Sequence, residues 1–111
     1  MQLLNDLIKA LGLQKPVTLT IKTRRGKDCD AYYMPQYSDR TGKLKAHRIT
    51  IYTVESTRSF ETLLAHELIH AKQEEQSKEE FHGKYFVKWA ADLEKQFPTI
   101  KDIYLKGTDE K

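Results

Sequence analysis

The stretch from Phe60 to Ala71 limits the possible folds more than any other part of the chain. At 3.6 residues per turn, Phe60, Leu63, Leu64, Ala65, Leu68 and Ile69 fall on nearly every side of a helix axis. A helix that is apolar all round is buried inside its domain. The same stretch carries His66, Glu67 and His70. Burying these groups costs free energy unless partners satisfy them. The rest of the chain must therefore surround one central helix and satisfy its polar side chains.

A length of 111 residues leads us to expect one core and a single domain over 1–111. With 39% hydrophobic and 32% charged residues, a disordered chain is excluded. No apolar run reaches the roughly 18 residues of a membrane span, so no membrane partner is expected. The start, Met1 to Leu13, carries Asp6 and lacks a small-residue cleavage site, and reads as a first helix rather than a secretion signal. Cys29 is the single cysteine, which excludes an internal disulfide and a four-cysteine zinc ribbon and suits a reducing, cytoplasmic setting. A monomer is the default.

Leu3, Leu4, Leu7, Ile8 and Leu11 predict an amphipathic helix over 2–12, ending at Gly12. Alternation predicts strands over 17–22, over 29–34 closed by Pro35, and over 46–53, with a turn at 38–43. Ser59 is a candidate N-cap for the central helix, with Glu61 in its first turn. Residues 72–80 are polar and read as a loop or frayed end. A last helix is expected from His82 to Phe97, with the stripe Phe86, Trp89, Ala90, Leu93 and Phe97 and a stop at Pro98. A short extended segment follows through Ile100, Ile103, Tyr104 and Leu105. The order is helix, three strands, two helices, an α+β pattern.

His66 and His70 stand four residues apart, one turn along the same helix face, where both imidazoles reach a single zinc ion. Glu67 lies about 100° round from His66, where a general base can take a proton from an activated water. A third ligand is needed. Glu74, Glu75, Glu79 and Glu80 are candidates within the polar run. His82 is the better one, because it opens the last helix and Gly83 lets the backbone pass close to the active helix. Tyr85, one turn from His82, is a candidate donor to the oxyanion of a tetrahedral intermediate, or an amphipathic aromatic at the core boundary.

His66-Glu67-Leu68-Ile69-His70-Ala71, an eleven-residue gap, then His82-Gly83-Lys84-Tyr85-Phe86 and Trp89 resemble the SprT-like family of zinc metallopeptidases. The resemblance covers about residues 48–105. It implies a minimal zincin-like α+β domain with an N-terminal helix, a three-stranded mainly antiparallel sheet, a buried HExxH helix and a C-terminal helix. It implies one zinc per chain on His66, His70 and His82, with Glu67 catalytic and a protein or peptide as substrate. It also implies an edge strand that aligns an extended substrate by backbone pairing. Here that strand is roughly residues 47–53, centred on Ile49, Thr50 and Ile51. The zinc-ribbon module of many members is absent. Eukaryotic relatives cleave proteins crosslinked to DNA, which implies action on DNA-associated proteins.

Residues 1–50 hold ten Lys/Arg and four Asp/Glu, whereas residues 51–111 hold nine and twelve. Arg24, Arg25, Lys27, Lys43, Lys45 and Arg48 carry much of the basic excess, which points either to non-specific DNA or to a solvated face. Tyr32, Tyr33, Tyr37 and Tyr52 interleave with it and read as base-stacking groups or as ordinary strand aromatics. His47 falls among basic residues and is expected at the surface. A zinc-containing, non-proteolytic nucleic-acid adaptor is the alternative to the peptidase.

Overall fold

The computed structural model describes residues 2–22, 31–52, 59–76, 83–101 and 103. Its elements are α1 (Gln2–Leu11), β1 (Val17–Lys22), β2 (Ala31–Tyr37), β3 (Leu44–Tyr52), α2 (Phe60–Glu75) and α3 (Lys84–Gln96). Gly12 ends α1 with φ +70°, the left-handed conformation glycine adopts without strain. Around it Leu13 N–H donates to Ile8 O and Gly12 N–H to Lys9 O, the paired bonds of a Schellman stop. Ser59 caps α2 as expected, its side chain accepting from Thr62 N–H at 3.1 Å.

The sheet order is β1-β3-β2, with β1 parallel and β2 antiparallel to β3. The sheet is therefore mixed, which corrects the expectation of a mainly antiparallel one. Only β2 and β3 form a hairpin, closed by the 38–43 turn, where Gly42 N–H donates to Ser38 O and Ser38 N–H to Lys43 O. β3 lies between the other two strands, and β1 pairs with it in the same direction.

β2 does not stop at Pro35. That residue sits opposite His47, whose N–H points the other way, to Pro16 O beside β1. The missing N–H of Pro35 thus costs no ladder bond on an edge strand. Ile49 and Ile51 point inward and are fully buried, while Lys45 and Arg48 on the same strand are exposed.

Helix α2 packs on β2 and β3 and is flanked by α1 and α3. Every residue from Thr62 to Ala71 is buried, as the all-round apolar pattern requires. Phe86, Ala90 and Leu93 of α3 are buried, and Ile100 and Ile103 return to the same core. Tyr104 and Leu105 lie outside the described residues. Among the described residues, no helix is long and apolar enough to cross a membrane.

Residues 72–75 of the polar run are helix rather than loop, and 77–80 lie outside the described residues. Helix α2 continues to Glu75 because each long side chain of its last turn has a partner. Lys72 Nζ donates to Leu11 O at the end of α1 and lies 4.9 Å from the centre of the Trp89 ring. Glu74 accepts from the Tyr37 hydroxyl. Glu75 accepts from the backbone N–H of Gln14 and Lys15 and from His47.

Candidate metal centre

His66, Glu67 and His70 are 4%, 2% and 4% exposed on the central helix. The His66 and His70 ring centres are 4.9 Å apart at 73°. Phe86 from the first turn of α3 closes over both, at 4.8 Å from His66 and 5.0 Å from His70.

Hydrogen bonding sets which ring nitrogen carries the proton. His66 Nδ1–H donates to Ile103 O at 2.8 Å, and His70 Nδ1–H donates to Gln73 Oε1 at 2.8 Å. Carbonyl oxygens only accept, so in the neutral imidazoles the proton sits on Nδ1 and the lone pair on Nε2. Metal-ligating histidines are held in this way, with the far nitrogen tied to a carbonyl or carboxylate. With zinc–nitrogen bonds of about 2.1 Å at a tetrahedral angle, two imidazoles sharing one ion have ring centres roughly 5 Å apart. The donor types, tautomers and ring spacing of His66 and His70 fit a zinc ion.

His82, Glu79 and Glu80 lie outside the described residues, and among the described residues no three His, Cys, Asp or Glu side chains converge. Glu74 and Glu75 are committed to Tyr37 and His47, which removes both as third ligands. Gly83, next to His82 in sequence, precedes the α3 turn that brings Phe86 to the histidines. Tyr85 is 37% exposed, with its ring 5.7 Å from Trp89 and Lys84 Nζ 5.5 Å from its centre. Among the described residues, the Phe86 ring meets both histidines.

Ile49, Thr50 and Ile51 do not form an edge. β3 is hydrogen-bonded on both sides, and the three residues are 0%, 2% and 0% exposed, so no substrate strand can add there. The sheet edges are β1 and β2. Because His47 N–H points to β1, strand alternation turns the N–H and C=O groups of Ala31 and Tyr33, and the C=O of Pro35, to the outer side of β2.

His47 is not a surface residue; it is 0% exposed. Its Nε2–H donates to Glu75 at 2.7 Å, and its Nδ1 is hydrogen-bonded to the Tyr33 hydroxyl at 2.7 Å. Burial pushes the Glu75 carboxyl up, but the bonds from His47, Gln14 and Lys15 outweigh it and hold the pKa below the usual carboxylate value. Burial, then the nearby Glu74 charge, raises the Tyr33 pKa. The hydrogen bond to Glu74 raises that of Tyr37. Tyr52 is 4% exposed, with its ring 6.2 Å from Tyr32. Tyr33 and Tyr52 are thus held within the sheet, whereas Tyr37 is 46% exposed at its edge.

Lys43, Lys45 and Arg48 are exposed, and Arg24, Arg25, Lys27 and Cys29 lie outside the described residues. The sequence reading missed Gln73, though an amide three residues after a helical histidine is a usable signal. It also missed Ile103 O, for which no local pattern exists. No family model, curated protein or solved structure matches this chain.

Proposed function

We propose that this chain is a zinc-dependent endopeptidase of the SprT-like type, with a minimal zincin-like fold. The observation that carries this reading is the pair of buried histidines, one turn apart, both held by carbonyl acceptors in the tautomer that presents Nε2. His66, His70 and His82 would hold one zinc ion. The bound metal supplies Lewis-acid polarisation of the scissile carbonyl and acidifies water. Glu67, on the turn between the two histidines, accepts the proton of the attacking water and later delivers it to the leaving amine. The burial of Glu67, 2% exposed, limits water around that carboxylate. The substrate chain would pair in extended form with the outer side of β2 rather than with β3. The single cysteine suits a cytoplasmic setting.

The test is cleavage of an unfolded protein substrate by wild type and Glu67→Gln, with and without DNA. The proposal expects cleavage by wild type, loss of it in Glu67→Gln, and unchanged zinc content in both. No cleavage of any substrate would contradict it and favour the adaptor. One observation supports that second reading: the three strands carry exposed Lys22, Lys45 and Arg48 and no Asp or Glu. The same basic surface is compatible with an endopeptidase acting on DNA-associated proteins.

A further inference from the structure

The two histidines are oriented by different devices. His70 is held by Gln73, a side chain of its own helix. His66 is held by a backbone carbonyl from a separate segment, that of Ile103. Its orientation depends on the placement of that carbonyl.

Several contacts lay the segment over α2. Ile100 and Ile103 put their side chains into the core, 1% and 0% exposed. The Thr62 hydroxyl donates to Lys101 O at 2.8 Å. Ile103 N–H donates to Glu94 Oε2 of α3 at 3.1 Å. A buried apolar side chain fixes where a residue sits, but it leaves the backbone able to rotate. A charge-assisted bond to the N–H of Ile103 holds the peptide before that residue and, with the buried side chain, fixes the Cα–C axis from which its carbonyl projects. The acceptor stands on a helix packed against α2, a more rigid base than a loop.

We propose that Glu94 is a positioning residue for His66: by holding the Ile103 N–H it keeps that residue where its carbonyl reaches His66 Nδ1, and so favours the lone pair on Nε2. The effect on metal affinity rests on the zinc reading above, whereas the effect on the His66 tautomer does not.

Long-range proton–nitrogen spectra of the imidazole rings test this in metal-free wild type, Glu94→Leu and Glu94→Gln. Asp92→Asn, an exposed neighbour on α3, is the control. Zinc affinity is measured in parallel by competition with a chromogenic chelator. His66 should be the Nδ1–H tautomer in wild type, in Asp92→Asn and in Glu94→Gln, which keeps an acceptor oxygen. In Glu94→Leu the tautomers should mix and zinc should bind about 10- to 100-fold more weakly. Should Glu94→Leu fail to fold, Glu94→Asp, shorter by one methylene, carries the same comparison.

A Glu94→Leu or Glu94→Asp protein with the wild-type His66 spectrum overturns the proposal, even if its melting temperature falls. So does an Nε2–H tautomer of His66 in wild type. If wild type takes up no zinc, the zinc reading fails, and the tautomer comparison still decides the role of Glu94.

Discussion

Gln73 shows how much a single amide does at the candidate centre. It is 3% exposed and its oxygen accepts from His70 Nδ1–H. Replacing it with Leu keeps the helix and the volume but removes the acceptor. Gln73→Leu should lower zinc affinity about 10- to 100-fold with a small change in melting temperature, measured by chelator competition and thermal unfolding. An unchanged affinity would contradict that role. His66, Glu67 and His70 were legible in the sequence because helical spacing is local and chemistry-bearing residue types are few. His47 was not, since Lys45 and Arg48 stand close to it in sequence while its neighbours in space are Tyr33 and Glu75. Nothing within the strand itself marks a histidine that bridges a tyrosine to a helix end.

The last turn of α2 is the element where sequence and structure part most clearly. Read as a frayed end, it is instead a plank whose Lys72, Glu74 and Glu75 reach α1, β2, β3 and the loop after α1. Periodicity sees only apolar faces, and this turn is held by polar contacts between residues as much as 61 positions apart. The start of the same helix was readable, since a serine cap followed by an acidic first turn is a local signal. Ser59→Ala should cost about 1 kcal/mol in chemical denaturation.

Glu75 gives the same element a pH dependence. Its folded pKa lies below the ordinary 4.5, so the unfolded chain binds its proton more readily. The stabilisation is fully present above pH 4.5 and is lost as pH falls through the lower folded value. Glu75→Ala should destabilise the protein at neutral pH by about 1–3 kcal/mol, because it strips a partner from buried His47. It should also flatten the acid limb of the stability profile. A variant whose acid limb matches wild type would contradict this.

At the scale of the whole molecule, the α+β class and the central helix followed from binary pattern, while strand order did not. Alternation predicted the three strands but says nothing of which lies in the middle. Placing β3 there rather than at an edge moves the expected substrate edge to β2. The three carboxylate-free strands also set an expectation for polyanions. DNA affinity should fall steeply with salt, and the double substitution Lys45→Ala, Arg48→Ala should reduce the slope of that dependence. Salt-independent binding, or none at low salt, would contradict it.

The central claim is that the buried helix holds a metal completed by His82. The most direct test is zinc content by elemental analysis of wild type and His82→Ala, both purified without added metal. The account expects about one zinc per chain in wild type and a sharp loss in the variant. Zinc fully retained by His82→Ala would move the third ligand to another side chain such as Glu79 or Glu80. No zinc in wild type, with none taken up on titration, would contradict the account at its core.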